Sequence, residues 1–435
     1  MTGAWEIAGA GFAGVFVLMA MGMPIAFAML VSGLAGIWYL LGERTAYGII
    51  GQLPFSTTMS YELSVVPMFI LMGALITRAR MSGDLYRMCQ SFVGHRRGGL
   101  AMATVLACGG FSAVCGSSIA TAATMAKVAM PEMRRYGYAD GLAAASIAAG
   151  GTLGILIPPS VILVLYGIAT GTDIGALFIA GVIPGLVAVA LYMAAVWVQT
   201  LADPTIAPAV PRVGWGERGR HLLSVGPIVL LFVLIIGGLY QGVFTPTEAA
   251  GVGAGGALIF ALWRRSLGPA SFMDALLETV RTTASLFMVL IGALVFSNFV
   301  NLAGLPAALS DLILDVGLPP MGVILVILLV YLILGMFMES LSMILLTIPI
   351  FFPVVSAQGF DPIWFGIFAV MVTELSLITP PVGLNLFVIK GVVQDIGVGT
   401  LYRGILPFIV ADVIRILLLV LIPSMALYLP TLAAR

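Results

Sequence analysis

Long, uninterrupted apolar segments constrain this chain more than any other feature. Of the 435 residues, 61% are hydrophobic and only 9% are charged, whereas soluble domains carry about 25% charged residues. A water-soluble fold cannot bury so much apolar surface, and the same abundance excludes intrinsic disorder. Eight runs are close to the roughly 20 residues that cross a bilayer core; they lie near 5–22, 24–41, 61–77, 176–199, 224–242, 248–263, 283–300 and 404–428. The sequence therefore predicts an all-α, multi-pass integral membrane protein.

The polar residues exclude several functions. Nineteen Lys and Arg balance nineteen Asp and Glu, so no basic excess is available for nucleic acid. The cysteines at 89, 108 and 115 form no CxxC pair and the two histidines lie far apart, which argues against a disulfide scaffold or a zinc site. The N-terminus lacks the basic region of a signal peptide, so the first apolar run is expected to be a retained span.

Four further apolar regions are interrupted by Gly, Ser or Pro. They are 98–130, 141–170, 319–352 and 363–389. Loose backbone at membrane depth survives only inside protein or beside a water-filled cavity. These interruptions depart from the simplest membrane design, so we expect function to reside there.

Flanking charge predicts how the first two interrupted regions are oriented. Arginines lie on both sides of 98–130, and positive charge marks the cytoplasmic face. A segment with both ends on one face does not span, so 98–130 is predicted to be a re-entrant hairpin with its tip at 109–118. The region 141–170 is predicted to be a transmembrane helix broken at 151–160.

The second half inverts this pattern. The loops 301–318 and 353–362 contain Asp but no Lys or Arg, so both are predicted to be external. The region between them becomes a second re-entrant hairpin, with its tip at 335–340. The last region is predicted to be a second broken helix, interrupted at 376–383.

An internal repeat supports the inversion. A shift of 222 residues pairs Pro158-Pro159 with Pro380-Pro381, Ser118 with Ser340, and the Asp-Ile-Gly at 173–175 with the Asp-Ile-Gly at 395–397. Matching backbone breaks in two opposite topologies are typical of secondary transporters. We therefore divide the chain into a first repeat, a cytoplasmic linker and a second repeat, at 1–199, 200–223 and 224–435.

The breaks offer a specific chemistry. Half-helix C-termini present free carbonyls that suit a small hard cation such as Na⁺, and half-helix N-termini present free N–H groups that suit an anion. Serine and threonine hydroxyls add neutral ligands without a buried charge. Two corresponding breaks predict about two cation sites.

These residues resemble a known family. The segments GGFSAVCGSSIATAATM, GTLGILIPPS, GMFMES and ITPPVGLNLF are similar to the large membrane subunit of tripartite ATP-independent periplasmic (TRAP) transporters, within the ion-transporter superfamily. The resemblance implies an elevator-type, Na⁺-coupled importer in the bacterial inner membrane. It also implies a separate small four-span membrane subunit, a periplasmic substrate-binding protein, and a small carboxylate substrate of the sialic-acid or dicarboxylate class.

The resemblance also assigns candidate site residues. The first Na⁺ site is expected to use Ser112, Gly154, Ile157 and Pro159. The second is expected to use Gly335, Ser376, Thr379 and Val382; many relatives have Gly where this chain has Ser376. The substrate is expected between the tips, near Ser117, Ser118, Thr121, Ser340 and Asn385.

Some assignments remain open at this stage. Glu339 can bind a cation or a proton, or can cap a half-helix. Glu374 is expected to make a structural hydrogen bond. Asp412 and Arg415 are expected to pair on one helix face. An intramembrane enzyme would need a pair of catalytic residues facing each other, and the sequence offers none. A channel would need a continuous pore, and an inverted repeat with paired hairpins fits alternating access better. The main alternative is a stand-alone Na⁺- or H⁺-coupled carboxylate transporter of related fold that works without a binding protein.

Overall fold

The computed structural model describes residues 2–79 and 81–433, and these are helical with no β-strand among them. The first half contains ten α-helices: α1 Thr2–Ala20, α2 Ile25–Leu41, α3 Glu43–Thr58, α4 Val65–Arg78, α5 Met81–Val93, α6 Gly99–Cys115, α7 Ser118–Arg135, α8 Asp140–Thr152, α9 Val161–Thr170 and α10 Ile174–Ala202. The second half contains ten more: α11 Trp215–Tyr240, α12 Pro246–Trp263, α13 Pro269–Leu302, α14 Leu305–Val316, α15 Pro320–Gly335, α16 Ser340–Ala357, α17 Pro362–Ile378, α18 Leu384–Val392, α19 Val398–Leu421 and α20 Ser424–Ala433.

Seven of the described helices are long and apolar enough to cross a membrane. This confirms the prediction of a multi-pass, all-helical membrane protein. The helix α16 is one of the seven, although the sequence assigns it to a re-entrant hairpin. The re-entrant path of both helical hairpins therefore stays a prediction.

The helices of the two halves begin at matching places. The helices α7 and α16 start at Ser118 and Ser340, and α8 and α17 start at Asp140 and Pro362; each pair is 222 residues apart, which is the shift read from the sequence. Both hairpins consist of two helices joined by a short turn, α6–α7 and α15–α16. Both broken helices, α8–α9 and α17–α18, consist of two α-helices separated by a segment that contains two consecutive prolines.

The two broken helices run antiparallel. The hydroxyl of Tyr166, near the end of α9, donates to the carbonyl of Pro362 at the start of α17, with 2.6 Å between the oxygens. At the other end Arg134, one residue before the end of α7, bonds to Asp140 at the start of α8 and to Asp395 after α18, at 2.8 Å and 2.9 Å. The Arg134 hydrogen bond also holds the pKa of Asp395 below its usual value. The end of each broken helix thus lies beside the start of the other.

Close helix crossings at glycine hold this group together. A Cβ at Gly404 on α19 would collide with the backbone of Gly141 on α8. On the outer side, a Cβ at Gly33 on α2 would come within 2.8 Å of the Phe296 backbone on α13. Small residues that let backbones approach are the usual means of packing membrane helices. The broken helices and hairpins therefore form an inner group, and α2, α4, α12 and α13 pack outside it.

The crossing of α8 and α19 provides a test of this packing. Gly404→Ala is expected to lower the free energy of unfolding by about 1–3 kcal/mol, because the added methyl group overpacks a backbone contact. The measurement is thermal unfolding of the purified chain in detergent.

Gly399→Ala is the matched control, because it lies on the same helix and a Cβ there meets no heavy atom within 4 Å. It is expected to be neutral or mildly stabilising. Equal destabilisation by the two variants would show that the crossing is not the cause.

Candidate functional site

The first hairpin turns directly against the first broken helix. Gly116, the residue after α6, has φ +62°, a left-handed conformation that suits glycine, and its N–H donates to the Ser112 carbonyl at 3.2 Å. A Cβ at Gly116 would come within 3.3 Å of the Pro159 carbonyl oxygen, and a Cβ at Gly154 within 2.8 Å of the Ser117 backbone. The structure therefore brings the tip and the break of the predicted first Na⁺ site together.

Two hydroxyls at this tip are buried without partners. Ser112 and Thr121 are both fully buried, and neither side-chain oxygen has a hydrogen-bond partner among the described residues. A buried, unpaired hydroxyl costs free energy, so such groups call for an explanation. Ser112 belongs to the predicted first Na⁺ site, and its unpartnered oxygen is available to coordinate a cation. Ile157, of the same predicted site, packs with its side chain against Gly185.

The second hairpin meets the second broken helix in the same way. A Cβ at Gly335 would collide with the Ser376 side chain, so only glycine fits there. The Ser376 hydroxyl donates to the Thr373 carbonyl at 2.7 Å, and the Thr379 hydroxyl donates to the Leu375 carbonyl at 2.6 Å. Both oxygens keep lone pairs that can accept or coordinate.

Beyond Thr379 the chain leaves the helix and exposes carbonyl groups. Thr379 is extended, with ψ 131°, and Gly383, the residue before α18, has φ +63°. The Tyr402 hydroxyl donates toward the carbonyls of Pro381 and Val382. The four residues of the predicted second Na⁺ site thus lie at the end of α15 and along the last turn and break of the second broken helix.

A cavity of about 530 Å³ lies between the two hairpin turns. Ser117, Ser118 and Ser340, three of the five residues predicted to contact substrate, line it. Thr121 and Asn385 do not belong to the lining. Asn385 is fully buried, and its amide nitrogen donates to the Ser118 hydroxyl at 2.7 Å and to the Ala148 carbonyl at 3.1 Å, so it ties α18 to the first hairpin.

The cavity also contains residues that the sequence reasoning missed. Glu278, Arg281, Thr282 and Ser285 line it from α13, and their spacing of i, i+3, i+4 and i+7 places them on one helix face. Glu278 pairs with Arg78 at 3.1 Å, whereas no ion pair of Arg281 occurs among the described residues. The sequence could have indicated them through this stripe of polar residues at helical spacing, at the start of an apolar run.

Glu339 lies at the mouth of the second turn. It is the residue before α16, and its side chain makes no capping hydrogen bond. Among the described residues, its side chain accepts one hydrogen bond, from the Ser342 hydroxyl at 3.5 Å. The capping interpretation is therefore not supported by the hydrogen bonding. Glu339 instead lines the cavity between the turns.

Two broken helices, each faced by a hairpin turn, with a cavity between the turns, are typical of a membrane transporter. The overall fold is similar to that of the YdaH transporter of Alcanivorax borkumensis, with a TM-score of 0.65 at 13% identity over 90% of this chain and 88% of that one.

The family follows from the sequence comparisons. Residues 12–425 match the family model for the tripartite ATP-independent periplasmic transporter, DctM component, and the chain belongs to this family. It is 40% identical to the C4-dicarboxylate TRAP transporter large permease protein DctM of Pseudomonas aeruginosa over 86% of this chain and 88% of that protein. It is 35% identical to the sialic acid TRAP transporter large permease protein SiaM of Vibrio cholerae over 95% and 96%. The predictions of a TRAP large permease and of a non-enzymatic chain are thereby confirmed.

The close approach of Gly335 to Ser376 can be tested by a compensating pair of changes. Gly335→Ala is expected to lower the free energy of unfolding by about 2 kcal/mol or more, because the methyl group and the Ser376 side chain require the same space. Adding Ser376→Gly removes the obstructing side chain and is expected to restore most of the loss.

Thermal unfolding of the two purified variants beside Ser376→Gly alone measures this coupling. If the effects of the two changes were simply additive, Gly335 and Ser376 would not be in contact.

Proposed function

We propose that this chain is the large transmembrane subunit of a Na⁺-coupled importer of small organic anions. It works with a separate small four-span membrane subunit and a periplasmic substrate-binding protein, in the bacterial inner membrane. The observation that carries the proposal is that each hairpin turn lies against a broken helix and that both turns border one cavity. The family supports the partners, because its description is that of a tripartite, periplasmic system.

Sodium coupling is supported by the kind of ligand available at each break. Hydroxyls and backbone carbonyls are hard, neutral oxygen donors. Ser112 offers an unpartnered buried oxygen. The segment from Thr379 to Val382 is outside helical geometry, and among the described residues its carbonyls accept no i+4 backbone hydrogen bond. Two such breaks support about two Na⁺ per cycle.

An anionic substrate is supported by the cavity between the turns. The start of α7 at Ser118 and the start of α16 at Ser340 both border it, and helix N-termini favour negative charge. Arg281 adds a positive charge on the facing helix α13. Relatives are named for C4-dicarboxylates and for sialic acid, and both are carboxylates, so we assign this substrate class to the chain.

The energetics of the scheme are sufficient for accumulation. One net positive charge moving inward at 100 mV releases about 2.3 kcal/mol, and a tenfold gradient on each of two Na⁺ adds roughly 1.4 kcal/mol per ion. A monoanion carried with two Na⁺ therefore gains about 5 kcal/mol, which supports several-thousandfold accumulation. In an elevator motion, the inner group of hairpins and broken helices would move against the outer helices.

Uptake into proteoliposomes tests the proposal directly. The chain is reconstituted with its small subunit and its binding protein, and with a carboxylate ligand found by screening that binding protein. Uptake is expected to require Na⁺ and an inward-negative potential, because both supply the driving force. Replacement of Na⁺ by choline measures the first requirement, and full-rate uptake in choline would contradict the proposal.

Ser112→Ala and Thr379→Ala localise the ion sites. Each is expected to raise the half-maximal Na⁺ concentration about threefold to tenfold, because a lost oxygen ligand costs about 1 kcal/mol. Ser310→Ala is the control, since that hydroxyl bonds to its own helix at the Pro306 carbonyl. Unchanged Na⁺ dependence in both site variants would place the ions elsewhere, and uptake by this chain alone would favour a stand-alone transporter.

A further inference from the structure

A cluster of charged side chains lies deep in the inner group. Glu374 on α17 and Asp412 and Arg415 on α19 are all fully buried, and they are the buried charged residues of the described chain. One nitrogen, Arg415 Nη2, lies 2.6 Å from Glu374 Oε2 and 2.8 Å from Asp412 Oδ1. The pair of Asp412 and Arg415 expected from the sequence is therefore part of a larger group that joins α17 to α19.

The cluster continues through hydroxyl groups to the first broken helix. The Tyr192 hydroxyl, on α10, lies 2.8 Å from both oxygens of Asp412, and a carboxylate accepts from it. The Thr152 hydroxyl lies 3.2 Å from the same tyrosine oxygen. Because the tyrosine proton points to Asp412, only Thr152 can donate in this contact, and its single proton is shared with the Ala149 carbonyl, which lies 2.7 Å from the same hydroxyl.

The two ends of this chain of contacts stand beside the two breaks. Thr152 is the last residue of α8 and precedes Gly154 by two residues, and Glu374 precedes Ser376 by two residues. Gly154 and Ser376 belong to the two candidate Na⁺ sites. We propose that Tyr192, Asp412 and Arg415 are positioning residues that link the two sites, so that Na⁺ binding at one favours binding at the other; this inference rests on the proposed Na⁺ coupling.

Stability alone does not account for the cluster. Burying charges costs several kcal/mol per ion, and well-packed apolar residues in their place are often as stable or more so. What hydrogen-bonded charges add is a fixed direction and distance between the groups that they join. Here the joined groups are the helix segments that end at the two breaks.

Such a link produces cooperativity by a simple physical route. Na⁺ bound at one break orders the end of its helix, and the fixed contacts carry that order to the end of the other helix. The second ion then binds to a segment that is already ordered and loses less conformational entropy. With two sites, the Hill coefficient lies between one and two.

The experiment uses Na⁺ itself and the purified full-length chain in detergent. Thermal unfolding is followed as NaCl replaces choline chloride at constant ionic strength, and the Na⁺-induced shift is fitted for its midpoint and Hill coefficient. Tyr192→Phe removes one hydroxyl and keeps the ring, so folding is preserved. Thr152→Val interrupts the same link one contact earlier.

The matched control is Tyr138→Phe. Tyr138 is also buried, and its hydroxyl accepts from the Leu100 N–H at 3.0 Å, away from both breaks. The control separates loss of a buried tyrosine hydroxyl in general from loss of the link between the sites.

The wild type and Tyr138→Phe are expected to respond to Na⁺ with a Hill coefficient above one. In Tyr192→Phe and Thr152→Val the coefficient is expected to fall toward one, and the midpoint to rise roughly threefold to tenfold. Unchanged cooperativity in both link variants would overturn the inference and leave Na⁺ coupling intact. Absence of any Na⁺-specific shift in the wild type would contradict the proposed Na⁺ coupling and the inference with it.

Discussion

The structure depends on one constraint: a backbone group at membrane depth must find a partner inside the protein. The chain interrupts two apolar helices, α8–α9 and α17–α18, and each interruption releases carbonyl and N–H groups that lipid cannot satisfy. The hairpin turns cover these interruptions. Gly154 against Ser117, and Gly335 against Ser376, show how closely each turn approaches its break.

Three contacts join the antiparallel broken helices to each other and to the first hairpin. Tyr166 joins the end of α9 to the start of α17, and Arg134 joins the α7–α8 corner to Asp395 after α18. Asn385 adds a link at the middle, between α18 and the first hairpin turn. The starts of α7 and α16 both border the cavity that Ser117, Ser118 and Ser340 line.

The sequence predicted the helical pairs, the breaks and their repeat, because Gly, Pro and Ser stand out against an apolar background. The family resemblance, and not this pattern, implied which turn meets which break. The sequence did not predict how α13 contributes, since Glu278, Arg281 and Thr282 precede the apolar run that was taken as the span. It did not place Asn385 as a buried tie or Tyr192 in the charged cluster, because partners 267 and 220 residues apart leave no local pattern.

The central claim is that the two halves of the chain have opposite orientations in the membrane, and the face reached by two single cysteines tests it most directly. The native cysteines Cys89, Cys108 and Cys115 are first replaced. One new cysteine is then introduced at an exposed position, by Arg96→Cys or by Asp315→Cys. Each variant is treated with a membrane-impermeant maleimide. The account predicts labelling of position 96 from the cytoplasmic face and of position 315 from the periplasmic face. Labelling of both positions from the same face would contradict it.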